Sequence, residues 1–355
     1  MSDSFIVRSR LGDYQVVFTD CFVREISNRV GDCFCLVDRN VMSLLAEELK
    51  PVLPQSRTLE LEASEQAKTL ESCIEVIRWL VDAGVRRNHT LLAIGGGVIQ
   101  DVCGFVATIL YRGIPWNFVP TTLLAQADSC IGSKTSINLG EFKNLVGSFY
   151  PPQRVLIDPR LLSTLPESEV KSGIGEILHY YLVDGNERAG WLRDNYGGVL
   201  GDPQLLLQDL KLSLSIKKAM IERDELDQGE RRLFNYGHTF GHAIEAVTRY
   251  TVNHGQAVTV GMDLANFISR EIGYLDGDTF ESMSEVLRCN MPDFELPRTR
   301  LEEYLTALRR DKKNRDGQLG CILTRGPGAM ELTYLSFDGL LPELIAKYFA
   351  SRPGS

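Results

Sequence analysis

No stretch of this chain approaches the ~20 consecutive apolar residues that a membrane-spanning helix requires. The start, Met1-Ser-Asp-Ser4, is polar and carries no secretory signal pattern. Eight cysteines are scattered at positions 21, 33, 35, 73, 103, 130, 289 and 321, without a C-x-x-C pair, which argues against a cysteine-built metal or redox motif. The one close pair, Cys33 and Cys35, falls on one face of a strand and reads as core packing, so reduced thiols and a cytoplasmic location are expected. An excess of positive charge is also missing. With 38 Lys and Arg against 47 Asp and Glu, the net charge is -9, which argues against nucleic acid as the principal partner. A local basic pocket for a small anion stays possible. Internal repeats and low-complexity tracts are absent, and residues 351–355 read as a frayed end.

Histidine is the scarcest informative residue. Of five, three (His238, His242 and His254) fall between Arg231 and Gly255. His238 and His242 are four apart in a helical pattern, so their rings share a face, and His254 follows after a linker long enough to fold back. Neutral imidazole is a preferred zinc ligand, and a catalytic zinc takes three protein ligands and keeps one open position. The plain alternative is helix-face histidines making ordinary hydrogen bonds. A carboxylate on another apolar stretch, Glu176 in Ser172-Gly-Ile-Gly-Glu-Ile-Leu-His179, is either a surface charge or a further candidate ligand.

A length of 355 residues allows two domains, and 44% hydrophobic with 24% charged residues is ordinary for a globular enzyme. The first half alternates β-rich runs at 14–18, 33–37, 59–61, 90–94, 116–119 and 155–157 with helical spacing at 41–49 and 65–83. Several of the runs are apolar throughout, as in strands covered on both faces. The pattern predicts an α/β doubly wound, Rossmann-like domain over residues 1–160. From about residue 161 the chain turns helical, including 205–225, and predicts a mainly α-helical domain over 161–355.

Within the first half, Leu91-Leu-Ala-Ile-Gly95-Gly96-Gly97-Val-Ile-Gln-Asp101 runs from strand through glycines into a helix over about 98–111. Such a turn lets backbone N–H groups approach a pyrophosphate; alone it is equally a tight turn. Asp38, ending an earlier strand, is placed to accept from a ribose. The block from Val119 to Thr135, followed by Gly140-Glu-Phe-Lys143-Asn144, mixes Asp128, Lys134, Lys143 and Asn144 with glycine-bounded turns, and reads as a phosphate-binding or simply solvated loop. The run Arg309 to Arg315 reads as a solvated basic face.

Together these blocks resemble the family of 3-dehydroquinate synthase and related sugar-phosphate cyclases, from about Asp38 to Asn314. The resemblance rests on Gly95-Gly-Gly-Val-Ile-x-Asp101, Tyr111-Arg112-Gly, Pro120-Thr-Thr-Leu-Leu-Ala-Gln, Asp128 to Lys134-Thr, Lys143-Asn144, Gly175-Glu176, Asn235-Tyr-Gly-His-Thr-Phe-Gly-His242 and His254-Gly. It implies Zn2+ (or Co2+) held by Glu176, His238 and His254, so that His242 faces the substrate phosphate. It implies NAD held by Asp38, Asn40, Glu65, Lys68, Gly95, Gly96, Gly97, Asp101, Thr121, Thr122 and Lys143. It further implies substrate contacts from Asp128, Lys134, Asn144, Lys217 (favoured over Lys218 by the spacing to Arg231), Arg231, Asn235, His242, one of Lys312 and Lys313, and Arg112 across a homodimer interface.

The implied chemistry is alcohol oxidation by NAD, phosphate elimination, reduction, ring opening and aldol closure in one pocket, with the leaving phosphate able to take the proton. Four residues depart from the family pattern: Gln100 and Ser133 stand for Gly, Gln256 for Glu, and His179 for a lysine. His179 is one helical turn from Glu176 and is expected to face the same pocket, with substrate identity at stake. Retained Arg231 favours a carboxylated heptulosonate phosphate. The alternatives are a secondary-metabolism cyclase acting on a heptulose, amino-heptulosonate or glucose phosphate, a metal-dependent alcohol or glycerol dehydrogenase, and a binding protein that has lost turnover.

Overall fold

The computed structural model describes residues 3–27, 30–140 and 142–351. Residues 352–355 of the expected frayed end, the first two of the polar start, and Glu141 lie outside them. Contacts divide the chain into two units, one of residues 1–165 with 217–226, the other of 166–216 with 227–355. The excursion at 217–226 is one that a single division after residue 160 does not include.

The first unit contributes β1 (Ser4–Val7), β2 (Tyr14–Phe18), β3 (Cys33–Asp38), β4 (Thr58–Leu61), β5 (Thr90–Gly95), β6 (Trp116–Pro120), β7 (Lys134–Leu139), β8 (Phe142–Phe149) and β9 (Arg154–Ile157). Seven of them form one sheet in the order β1-β2-β9-β6-β5-β3-β4. β1 pairs antiparallel with β2, and the remaining pairs are parallel. Every residue of β3 is buried, and all but the first of β5. Continuous apolar runs are what a parallel sheet covered on both faces requires. The chain leaves β3 toward β4 on one side and β5 toward β6 on the other. The topological switch point therefore lies between β3 and β5, where doubly wound sheets bind ligands at the carboxyl ends of their strands.

Three local readings change. Residues 134–149, expected as loop, form the antiparallel hairpin β7–β8. Thr135 and Ile137 point inward while Lys134 and Leu139 are exposed, a period of two that lysines and glycines disguise in the sequence. The helix expected over 65–83 is a short turn, Glu65–Ala67, and a separate helix, Leu70–Asp82, because the Thr69 hydroxyl accepts from Ser72 N and starts a new helix. Likewise Asp38 accepts from Asn40 N at 2.8 Å and starts the next helix at Arg39 rather than at residue 41.

The second unit is mainly helical, with one antiparallel pair, β10 (Gln318–Thr324) and β11 (Met330–Ser336). Its central helix, His254–Glu271, is buried from Ala257 to Ser269, and its buried polar side chains are paired inside the core, Asp263 with Ser284 and Tyr348 and Asn266 with Tyr236. Two helices press against it through glycine. A Cβ on Gly175, in Glu167–Asp184, would lie 2.1 Å from Gly255 O, and one on Gly261 would lie 2.0 Å from Gly237 O, just ahead of His238–Val247. Only glycine permits backbones this close. Among the described residues, no helix is long and apolar enough to cross a membrane.

Candidate active site

The glycine crossings determine which side chains meet. Gly175 precedes Glu176 and Gly255 follows His254, so the contact between their backbones delivers a carboxylate and an imidazole to one point. Gly237 precedes His238 and brings in the second ring. Glu176 Oε1 then lies 3.4 Å from His238 Nε2 and 3.3 Å from His254 Nε2.

The tautomers follow from the other ring nitrogens. His238 Nδ1 is 3.1 Å from the Tyr236 carbonyl and donates to it, while His254 Nδ1 is 3.1 Å from Glu245 Oε2. With both protons so engaged, both Nε2 lone pairs face Glu176. Its Oε1 is buried without a hydrogen-bond partner, and the residue is 1% exposed. Three acceptors converging in a buried place repel one another unless a cation joins them. Ligands at ~2.0–2.2 Å from a tetrahedral zinc stand roughly 3.3 Å apart, the spacing the carboxylate keeps to each ring here. The residues fit a divalent metal.

Electrostatics agree. Burial alone would raise the Glu176 carboxyl, but His238, His254 and His179 hold it well below the usual range. Burial would lower His254, yet Glu245 and Glu176 push it up to about 10, so without a metal a proton takes the cation's place. His242 does not join Glu176. Its ring faces His238 at 5.7 Å and His254 at 5.8 Å, and its nearest potential ligand set is Glu245 with His254. The set that meets is the one the resemblance implied, Glu176, His238 and His254, and not the three histidines that spacing alone suggests: the i+4 spacing aligns His238 with His242, but the backbone crossing brings in Glu176. Glu245, buried three residues beyond His242, had no role in the sequence reading. Its spacing of seven from His238, two helical turns on the same face, is the signal that marks it.

His179 also departs from expectation. It is 0% exposed and walled by the rings of Tyr180, Phe234, Tyr236 and His238, with Nδ1 3.7 Å from Glu176 Oε2. It touches the metal carboxylate rather than an open pocket. Arg231 is 5% exposed on the turn Glu230–Asn235, which also carries Asn235. Of the pair left open, Lys313 has its Nζ 3.4 Å from Asn235 Oδ1, whereas Lys312 is exposed. Burial lowers the Lys313 pKa. The basic run is therefore only partly a solvated face.

In the first unit, Asp38 ends β3 and Gly95 ends β5, on either side of the switch point. Gly96 caps the helix Gly97–Ile109, and Thr121 N donates to Gly95 O. A Cβ on Gly95 would lie 2.5 Å from Ile99 Cγ1, so the turn needs glycine there. Burial raises the Asp38 carboxyl against the pull of Asn40 and Val41 N–H. Asn40 follows on the helix begun by Asp38. Thr122 Oγ1 accepts from Ala125 N.

Lys68 Nζ lies 2.7 Å from Asp101 Oδ2 and 3.8 Å from Glu65, and Lys143 reaches the same Glu65 at 4.0 Å. Asp128 and Lys217 pair at 2.6 Å. The Gln100 departure has a purpose: its amide donates to Ser129 O and accepts from Ser129 Oγ, each at 2.6 Å, tying the glycine-turn helix to the turn that holds Asp128. Lys134 opens β7, Asn144 sits on β8 with φ 53, and Arg112 lies exposed at a kink with φ 66. Asn138 and Ser136, which connect these residues, escaped the sequence reading.

Comparison with known proteins agrees with this arrangement. The family models described as 3-dehydroquinate synthase N-terminal and C-terminal match residues 58–172 and 173–314. A 3-dehydroquinate synthase of Alkaliphilus metalliredigens is 37% identical over 310 residues, 86% of this chain and 87% of that protein. A crystal structure of 2-deoxy-scyllo-inosose synthase with carbaglucose-6-phosphate, NAD+ and Co2+ superposes with TM-score 0.87 at 26% identity, over 98% of this chain and all of the other. The 2-epi-5-epi-valiolone synthase of Streptomyces hygroscopicus, with NAD+ and Zn2+, matches equally at 0.87 and 26%, covering 98% and 99%. With both family models matched in order across the nucleotide-type turn and the Glu-His-His cluster, the chain belongs to the 3-dehydroquinate synthase family.

Proposed function

We propose that this chain is a 3-dehydroquinate synthase, a phosphate-eliminating cyclase that uses NAD and a divalent metal, Zn2+ or Co2+. It converts 3-deoxy-D-arabino-heptulosonate 7-phosphate to 3-dehydroquinate and phosphate. The observation that carries the reading is the buried convergence of Glu176 Oε1 with two Nε2 atoms whose tautomers are set by Tyr236 O and Glu245. When bound, the metal supplies Lewis acidity and NAD a hydride store that is filled and emptied within one turnover.

The remaining chemistry belongs to side chains. Asp38, Asn40, Glu65, Lys68, Gly95–Gly97, Asp101, Thr121, Thr122 and Lys143 hold the nucleotide, with the N–H groups of the helix start on its pyrophosphate. In the first unit the hairpin residues Lys134 and Asn144 serve the substrate phosphate and stabilise its charge as it leaves. For Asn235 and His242 the family resemblance implies the same role. Arg231 offers a planar fork to the substrate carboxylate. Lys313 beside Asn235 adds a cation, and Lys217 and Asp128 orient hydroxyls as a pair. Glu245 is committed to His254, Asp128 to Lys217 and Asp101 to Lys68, so these carboxylates stand engaged. That favours a reaction in which the departing phosphate removes the proton itself.

The tighter likeness to a 3-dehydroquinate synthase, 37% against 26% for the other cyclases, supports the heptulosonate substrate. The residue that argued for another sugar, His179, is enclosed by aromatic rings. Homodimerisation through the Arg112 kink belongs to the same proposal. So does a cytoplasmic location, which eight free cysteines support. The test is release of inorganic phosphate from the heptulosonate phosphate, beside heptulose 7-phosphate and glucose 6-phosphate, while NADH is monitored. Release from the heptulosonate with no net NADH is expected. Release only from a neutral sugar assigns a different cyclase, and NADH accumulation assigns a dehydrogenase.

A further inference from the structure

We propose that Asn138 is a positioning residue that holds the bulge presenting Lys143 to the nucleotide and Asn144 to the substrate phosphate. The inference rests on the reading above for those two residues. In the β7–β8 hairpin, Ile137 pairs with Val146 and Leu139 with Phe142. Between these pairs Asn138 alone faces Lys143, Asn144 and Leu145, so β8 carries residues that the ladder cannot accommodate. A bulge of this kind re-aims side chains out of the strand's alternation. Asn144 adopts φ 53 within it, a left-handed conformation that asparagine tolerates better than most residues. Asn144 is exposed and Leu145 is 51% exposed, so apolar packing contributes little to fixing this shape.

Asn138 fixes it through hydrogen bonds. Its Oδ1 accepts from Asn144 N at 2.9 Å, and its Nδ2 donates to Glu65 O at 3.1 Å and to Glu65 Oε1 at 2.8 Å. A backbone N–H can only donate and a backbone carbonyl can only accept, so the amide has one orientation. The Asn138 backbone N donates to Lys68 O at 2.8 Å. One residue thus ties the bulge to the segment carrying Glu65 and Lys68, which the same reading assigns to the nucleotide. Lys143 approaches that segment from the bulge itself, its Nζ lying 4.0 Å from Glu65 Oε1. With the asparagine amide removed, the Asn144 N–H loses this acceptor and the bulge samples other conformations. The apparent affinity for a ligand then falls with the fraction of molecules that keep the competent shape.

The test measures inorganic phosphate binding to enzyme loaded with Zn2+ and NAD, NAD binding to the Zn2+ enzyme, and Tm. The variants are Asn138→Ala, Asn138→Asp, Asn144→Ala and Ile137→Val. Losing the amide's bonds is expected to raise the phosphate Kd and the NAD Kd of Asn138→Ala about three- to tenfold each. Asn138→Asp, which has the same shape but cannot donate to Glu65, is expected to raise both as well. Ile137→Val trims a buried side chain of the hairpin and should lower Tm while both Kd values stay within about twofold of the parent. Asn138→Ala behaving like Ile137→Val, with a lower Tm and parental Kd values, makes Asn138 a structural part of the hairpin and overturns the proposal. Parental binding by Asn138→Asp also overturns it, because the bonds to Glu65 would then not matter. If Asn144→Ala weakens phosphate binding while Asn138→Ala does not, the proposal fails and the phosphate role of Asn144 stands. If Asn144→Ala itself leaves phosphate binding unchanged, that role fails, and this inference with it.

Discussion

Replacing Gly255 with alanine tests whether backbone proximity builds the metal site. The added Cβ would sit 1.7 Å from Ser172 O and 2.7 Å from Ser172 C, atoms of a helix backbone that cannot swing aside as a side-chain end does. Restoring ordinary contact, at roughly 3.2 Å or more, needs the two helices to part by about 1 Å or more, and overpacking of this kind costs ~1–3 kcal/mol. The bond from Gly255 N to Ser172 Oγ, now 3.1 Å, is lost with it, about another 1 kcal/mol.

The consequence for the site is larger than for the fold. Glu176 rides on one helix and His254 on the other, and metal–ligand distances tolerate only about ±0.2 Å. A shift several times that tolerance is expected to lower metal affinity by at least the 10–100-fold seen when a supporting contact is removed. The assay is competition with a chelator of known affinity, alongside thermal melts with and without Zn2+. Gly277→Ala is the control, since a Cβ there meets nothing within 4 Å. Full metal stoichiometry at parental affinity in Gly255→Ala would refute the argument.

Three further outcomes are expected. Glu245→Ala removes the acceptor that holds His254 in its ligating tautomer and should weaken metal binding ~10–100-fold, with Glu245→Gln falling between, as chelator competition will show. His179→Lys places an ammonium in a fully enclosed aromatic box, so the Tm and metal content should fall together; an unchanged Tm with an altered KM would mean the position opens to substrate after all. Lys68→Met strands the Asp101 carboxylate, which burial already raises, and should cost ~3–5 kcal/mol in denaturant unfolding, with partial recovery in the Lys68→Met/Asp101→Leu double variant.

Much of the nucleotide-type turn was legible because its signals are local. Apolar runs predict buried strands, and the glycine run between a strand and a helix predicts a tight turn wherever it occurs. β3, β5 and β6 stand where the runs at 33–37, 90–94 and 116–119 placed them. The hairpin β7–β8 was not legible, because β7 buries only Thr135 and Ile137, a period-two signal too short to stand out among lysines and glycines. β1, only four residues at an edge, has a comparably weak pattern.

Composition and spacing alone determined the two-part organisation, the clustering of histidines and the order of motifs, since each depends on residues close together along the chain. The family resemblance already implied Glu176 with His238 and His254; only the tertiary structure shows how these three side chains meet, that Lys313 rather than Lys312 reaches Asn235, and that His179 is sealed away. The meeting at the metal site turns on helix crossings between segments 60 to 80 residues apart. It is made by what glycine lacks, a Cβ at the points where two backbones touch, and hydrophobic periodicity carries no record of which glycine will meet which.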